Sequence, residues 1–106
     1  MTRTAQTLLR ELKAGLQTIY RDHLRGVYLF GSYARGEEDA ESDVDVLVVL
    51  KDFDRYGAEV ERTAELGATL SLKYGVSISK VFVRERDWRM GQTPFLDNVR
   101  EEALPV

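Results

Sequence analysis

Cysteine is absent from this chain of 106 residues, which excludes disulfide bonds, thiolate metal sites and thiol nucleophiles. Long hydrophobic runs are also missing, because the longest apolar stretch, VDVLVVL, is far shorter than a membrane span and contains an aspartate. The first residues, MTRTAQTLLREL, lack the unbroken apolar segment of a signal peptide. These absences predict a cytoplasmic protein, and the length suits one domain over residues 1–106.

An excess of basic residues is lacking as well, since 15 Lys and Arg stand against 18 Asp and Glu, for a formal net charge of −3. A general nucleic-acid-binding protein usually needs a net basic face, so direct binding of nucleic acid is not expected. The acids are concentrated in residues 37–54, whereas basic residues prevail in residues 80–89. This asymmetry suits an acidic pocket for cations and a basic rim for phosphates or an acidic partner, although ordinary surface charge also explains the basic segment.

Two long helices are predicted from apolar residues spaced by three and four positions. The first covers residues 4–24, with Thr4 as its cap and Gly26 at its end. The second covers residues 55–74 and ends at Gly75. The side chains expected to face inward from the second helix are Val60, Ala64, Leu66 and Leu70.

Three apolar segments are predicted as strands, over residues 27–30, 44–50 and 76–83. A helical turn follows the first strand, an acidic loop covers residues 36–42, and a polar turn follows the third strand. Thr93 and Pro94 begin a short helix near the end of the sequence. This alternation of helices and strands predicts an α/β domain.

The most informative stretch is VYLFGSYARGEEDAESDVDVLVVL, residues 27–50. Gly31 and Ser32 follow a strand, where a glycine lets backbone amides approach a phosphate and a serine adds a hydroxyl donor. Asp43 and Asp45 begin the next strand two residues apart, so both carboxylates point to one side of it. Because Mg²⁺ is usually held by one or two carboxylates and substrate phosphates, the stretch predicts a nucleoside triphosphate and magnesium site.

The motif GSYARG at residues 31–36, followed by SDVD at residues 42–45 and an apolar strand, resembles the signature of the DNA polymerase β-like nucleotidyltransferase superfamily. The short length resembles that of its minimal nucleotidyltransferase (MNT) branch. Members of this branch often occur beside a HEPN-domain protein, as the antitoxin of a toxin–antitoxin pair. The resemblance implies an α/β (α+β) fold with a small mixed β-sheet flanked by helices.

The resemblance also implies an activity: transfer of AMP from ATP to a hydroxyl, for example of a tyrosine on the HEPN toxin, by a two-metal mechanism. Gly31 and Ser32 would hold the β- and γ-phosphates. Asp43 and Asp45 would hold both Mg²⁺ ions and act as the catalytic residues. Arg35 would bind nucleotide by neutralising phosphate charge, or would pair with an acid of the loop.

One acid of the superfamily pattern is missing from this sequence. The superfamily usually has a third carboxylate on a later strand, where this chain has Ser77 and Ser79. A neutral hydroxyl is a poorer Mg²⁺ ligand and a poorer base than a carboxylate, and Glu85 and Asp87 in the following turn are the nearest substitutes. Two functions therefore remain open: an adenylyltransferase with a weak second metal, or a weakened nucleotide-binding module that neutralises the HEPN partner by direct binding.

Overall fold

The computed structural model of the protein describes residues 2–106 and has helices on both faces of a four-stranded sheet. Within these residues the helices are Arg3–Tyr20 (α1), Ser32–Arg35 (α2), Tyr56–Tyr74 (α3), Glu85–Met90 (α4) and Pro94–Glu102 (α5). The strands are Leu24–Phe30 (β1), Val44–Leu50 (β2), Ile78–Arg84 (β3) and Leu104–Pro105 (β4). None of the helices in residues 2–106 has both the length and the apolar character needed to cross a membrane.

The sheet has the strand order β3-β2-β1-β4. Strand β2 runs parallel to β3 and antiparallel to β1, and β1 runs antiparallel to β4. The parallel pair is possible because α3 connects β2 to β3, as a crossover between parallel strands requires. The predicted α/β class, with a small mixed sheet flanked by helices, is confirmed.

The core lies on both faces of β2, whose side chains alternate between two apolar clusters. One cluster packs against α1 and α3, and its fully buried members include Leu8, Leu12 and Leu16 of α1. A smaller cluster on the opposite face contains Leu47 and Val49, and it packs against α4 and α5. Each fully buried leucine contributes about 1.5–3 kcal/mol, so the face under α1 holds most of the apolar stabilisation.

The first helix is shorter than predicted and begins earlier. Thr2, rather than Thr4, caps α1, since its hydroxyl accepts a hydrogen bond from the N–H of Ala5 at 3.1 Å. The helix ends at Tyr20 because Arg21 adopts a φ of +52°, and a short 3₁₀ turn precedes β1. Gly26 therefore lies inside β1 and does not end the helix.

The predicted inward face of α3 is partly wrong. Val60 is 44% exposed and Ala64 is also exposed, whereas Leu70 is buried as predicted. Thr63 and Gly67 face inward instead. Thr63 can be buried because its hydroxyl donates a hydrogen bond to the carbonyl of Glu59 at 3.0 Å. The buried face of α3 therefore includes a glycine and a threonine that is hydrogen-bonded within its own helix. Apolar periodicity alone does not identify such positions.

Two elements near the end of the chain were not predicted. The polar turn after β3 is helix α4, whose last carbonyls, those of Asp87 and Trp88, accept hydrogen bonds from Arg100 at 2.7–3.0 Å. Strand β4 pairs with Tyr28 and Leu29, and its proline is tolerated because β4 is an edge strand. Both elements depend on contacts with distant residues.

Candidate active site

The two aspartates and the Gly-Ser turn lie together at one end of the sheet. Asp45 lies between Phe30 on β1 and Ser79 on β3, which are its partners in the strand register. Since strand side chains alternate, Asp45 shares the face of Leu47, which packs toward α5. Asp43 precedes Asp45 by two residues, just before β2 begins, and is exposed. It is close enough to raise the pKa of Asp45. The structure therefore brings both carboxylates to the same end of β2.

Gly31 makes the turn that contacts this carboxylate pair. Its backbone has φ 76° and ψ −159°, a region that essentially only glycine occupies. A Cβ built on Gly31 would collide with Oδ2 of Asp45, so the missing side chain leaves space that the carboxylate fills. The predicted phosphate turn and the predicted metal ligand are in direct contact.

Ser32 begins the short helix α2 immediately after this turn. The N–H groups of Ala34 and Arg35 donate to the carbonyl of Gly31 at 3.0 and 3.1 Å, which closes the first helical turn. The N–H groups of Ser32 and Tyr33 precede these and have no acceptor within a helix that starts at Ser32. The hydroxyl of Ser32 and these two amides are hydrogen-bond donors that directly follow the Gly31 turn.

The electrostatics of the pair favour a bound cation. Burial raises the pKa of the Asp45 carboxyl above its ordinary value, and repulsion from Asp43 raises the pKa further. Arg35 opposes this rise, whereas Glu102 of α5 adds to it. A cation between the two carboxylates would relieve the unfavourable charge, as the raised pKa of Asp45 indicates.

Arg35 is held by two acids from different parts of the chain. Its guanidinium donates to Glu37 of the acidic loop at 2.6 Å and to Glu102 at the end of α5 at 2.8 Å. The pairing with a loop acid was one of the two predicted roles of Arg35. Glu102 was not predicted, because it is separated from Arg35 by 67 residues and no local pattern joins them.

The third strand carries hydroxyl groups where the resemblance implied a third acid. Ser79 lies opposite Asp45, and Ser77 precedes β3, where its carbonyl accepts from the N–H of Val44 at 2.8 Å. Strand β3 ends at Arg84, about 16 Å along the strand from Ser79. Glu85 comes after this end and pairs with Arg89. Asp87 faces Arg84 at 3.9 Å. Neither acid accompanies Asp45.

The basic segment does not form a rim around this site. Arg84 pairs with Asp52 at 3.0 Å and stacks over Phe53, at the opposite end of the sheet from Asp45. Lys80 points to the other face of β3, toward Gly67 of α3. Ordinary surface charge therefore explains the segment better than phosphate binding does.

The donor set fits a divalent cation held jointly with a ligand. In residues 2–106 no three His, Asp or Glu side chains gather closely enough to bind a metal by themselves. Two carboxylates with Ser79 nearby match Mg²⁺, which keeps several waters and takes the rest of its ligands from substrate phosphates. Asp43 and Asp45 are the residues that would hold it.

A small mixed sheet that carries a Gly-Ser turn against a carboxylate pair has the features of a nucleotidyltransferase domain. A family model described as "Nucleotidyltransferase domain" matches residues 9–104. The chain therefore belongs to the nucleotidyltransferase domain family, as the sequence motif predicted.

Two curated relatives come from Methanocaldococcus jannaschii. "Putative protein adenylyltransferase MJ0141" is 36% identical over 99 residues, which cover 93% of this chain and 95% of that relative. "Putative protein adenylyltransferase MJ0604" is 38% identical over 77 residues, which cover 73% of this chain and 71% of that relative. The chain thus matches these relatives over most of their length.

Solved structures have the same fold. A "putative minimal nucleotidyltransferase" is 31% identical with a TM-score of 0.57, and the match covers 95% of this chain and 94% of that one. A toxin–antitoxin crystallised with AMP-PNP is 23% identical with a TM-score of 0.62, over 89% of this chain and 68% of that one. The second likeness supports the fold alone.

Proposed function

We propose that this protein transfers AMP from ATP to the hydroxyl of a tyrosine on a HEPN toxin, for which it serves as the antitoxin of a type VII-like pair. The observation that carries the proposal is the contact between the Gly31 turn and the carboxylate of Asp45. This contact unites a phosphate-sized turn with a metal ligand. The names of the two relatives support a protein as the acceptor. The name of the toxin–antitoxin structure, whose likeness shows only the fold, suggests a toxin as that protein.

In the proposed reaction, Gly31 and Ser32 hold the β- and γ-phosphates, and Asp43 and Asp45 hold the divalent cations. When bound, Mg²⁺ neutralises phosphate charge and lowers the pKa of a bound hydroxyl. The acceptor oxygen forms a bond to the α-phosphorus, the bond from this phosphorus to the bridging oxygen breaks, and pyrophosphate leaves. The hydroxyl proton passes to water, because Ser79 offers no carboxylate to accept it.

Arg35 has a dependent part in this proposal. Its two ion pairs place a positive charge close enough to lower the pKa of Asp45. Exposed ion pairs are worth only about 0–1 kcal/mol each, so an arriving phosphate can replace either acid at low cost. Arg35 is therefore proposed as a nucleotide-binding residue, whose ion pair with Glu37 or Glu102 is replaced by one with a phosphate group.

A second function is favoured by one feature, the hydroxyl of Ser79 beside Asp45. With this neutral group in place of a third acid, the site would bind ATP and Mg²⁺ without rapid transfer. The protein would then neutralise the HEPN partner by contact alone. Both functions use ATP and Mg²⁺, which are abundant in the cytoplasm, the compartment we propose.

The test combines a transfer assay with a neutralisation assay. The protein, Mg²⁺ and ATP labelled at the α-phosphate are mixed with the product of the adjacent gene, and label on that product is measured. We expect transfer that Asp43→Asn and Asp45→Asn each abolish and that Glu65→Gln leaves unchanged. Glu65 is a matched control because it is exposed on α3 and its loss also removes one negative charge.

We expect Asp45→Asn to remain folded, so that a loss of activity would report on the site. Because the pKa of Asp45 is raised, its charge is unfavourable in the folded protein, and removing the charge relieves repulsion. Ser79→Asp should raise the transfer rate by completing the acid set. If the two asparagine variants still neutralise the partner, and neither the wild-type protein nor any variant transfers label, the enzyme proposal is wrong and the binding function is correct.

A further inference from the structure

An apolar recess lies along β3, on the same face of the sheet as Asp45. Its volume is about 310 Å³, and β3 and α5 supply its apolar side chains. These side chains are Val81, Val83, Phe95 and Leu96. Ser79 precedes Val81 by two residues on the same face of β3, and Ser79 is the register partner of Asp45. The recess therefore begins one same-face position away from the register partner of Asp45.

Phe95 connects the recess to the carboxylate site. Its ring meets the ring of Phe30 edge-on, with centroids 5.7 Å apart and planes at 84°. Phe30 is the register partner of Asp45 on the neighbouring strand. Phe95 nevertheless remains 44% exposed, so part of its ring is uncovered. A further ring can therefore pack against it.

The strand order determines which substrate reaches the carboxylates from the side of β3. In displacement at phosphorus, the entering and leaving oxygens lie on opposite sides of the phosphorus. With the pyrophosphate at Gly31 and Ser32 beside β1, and the phosphorus at the carboxylates of β2, the entering oxygen approaches from β3. Ser79 and the recess lie on that side.

A separate cavity is available to the rest of the nucleotide. It has a volume of about 460 Å³ and lies beside Asp43, between the acidic loop and residues 75–77. The recess on β3 suits a different group, because its lining is mostly apolar and the carboxylate of Asp87 on its rim disfavours phosphate. Its volume is at the low end of small-molecule pockets, about 300–1,000 Å³, and fits one side chain.

We infer that the recess formed by Val81, Val83, Phe95 and Leu96 binds the ring of the acceptor tyrosine and directs its hydroxyl toward Asp45. The inference rests on the proposed transfer to tyrosine and adds the residues that recognise the acceptor. Phe95 contacts the substrate ring, and Val81 lies beneath it.

The first experiment measures binding without chemistry. N-acetyl-L-tyrosinamide is titrated into the protein, and the methyl resonances of Val81, Val83 and Leu96 are followed by NMR. We expect saturable shifts at these methyl groups, which Phe95→Ala abolishes and Leu72→Ala retains. Leu72 is a suitable control because it is an apolar side chain 86% exposed on α3, under the opposite face. N-acetyl-L-serinamide, which lacks the ring, should leave the same methyl groups unshifted.

The second experiment measures transfer to the same compound with labelled ATP. Phe95→Ala should raise the KM for N-acetyl-L-tyrosinamide about tenfold, the loss of one buried aromatic contact, while the KM for ATP stays constant. The KM of Phe95→Leu for N-acetyl-L-tyrosinamide should lie between those of the wild type and Phe95→Ala. This variant tests the inference if Phe95→Ala has a low melting temperature. A raised KM for ATP with an unchanged acceptor KM would place the base in the recess and overturn the inference.

The two proposals fail in different ways. If N-acetyl-L-tyrosinamide shifts the recess methyl groups but receives no label, the recess is correct and the transfer function is wrong. If it receives label without shifting them, the transfer function is correct and the recess is wrong. If it does neither, both are overturned.

Discussion

Replacing Gly31 by alanine tests the contact on which the site depends. The φ of 76° and ψ of −159° at Gly31 belong to a region that costs a residue with a Cβ about 1–3 kcal/mol. For a domain of about 100 residues, 1 kcal/mol changes the melting temperature by about 4–8 °C. We therefore expect Gly31→Ala to lower the melting temperature by about 10 °C, measured by circular dichroism.

The same substitution should also weaken nucleotide binding. The new Cβ would occupy the position of Oδ2 of Asp45, so the carboxylate must turn away or the turn must move. Either change separates the proposed phosphate turn from the proposed metal ligand. Binding of ATP with Mg²⁺, measured by calorimetry below the melting temperature, should weaken at least about tenfold, since one charge-assisted contact is worth about 1.5–3 kcal/mol.

Gly36→Ala is the matched control at the other end of α2. Gly36 also has a positive φ, +71°, so alanine there costs about 1–2 kcal/mol in backbone strain. Its Cβ would meet no heavy atom within 4 Å. We expect a similar loss of stability with nucleotide binding retained. If Gly31→Ala binds ATP and Mg²⁺ as tightly as Gly36→Ala does, the contact with Asp45 has no part in the site and the reasoning fails.

Two further predictions concern the opposite face of the sheet. Burial lowers the pKa of Lys80, so the folded protein holds this proton less tightly than the unfolded chain, and stability associated with Lys80 rises with pH up to its ordinary value of 10.5. Lys80→Met should therefore raise the free energy of unfolding, measured with urea, at neutral pH and raise it less above pH 10.5. An equal increase at both pH values would contradict an effect of the Lys80 charge. Tyr20→Phe removes the hydrogen bond from the Tyr20 hydroxyl to the buried carboxylate of Glu59 at 2.8 Å. It should cost about 1.5–3 kcal/mol in urea unfolding, and a neutral effect would mean that Arg62 alone satisfies Glu59.

Local sequence patterns determined much of the site. The β-branched run over Val44–Leu50 forms β2 as predicted, and the two-residue spacing of Asp43 and Asp45 keeps both carboxylates at the same end of this strand. Gly31 has the positive φ that a tight turn needs, and Pro94 occupies the first turn of α5. Each of these features depends on backbone preferences that act within a few residues, so the sequence alone predicts them.

Only the tertiary structure decided what surrounds the site. Arg100 donates hydrogen bonds to carbonyls at the end of helix α4. Neither this cap nor the contacts of Glu102 with Arg35 and of Phe95 with Phe30 follow from any spacing in the sequence. These contacts join residues far apart in the chain, and their geometry depends on how α5 packs over the sheet. The sequence by itself determined which residues bind phosphate and metal in our proposal. The fold alone decided which groups they meet, because packing between distant segments has no local signature.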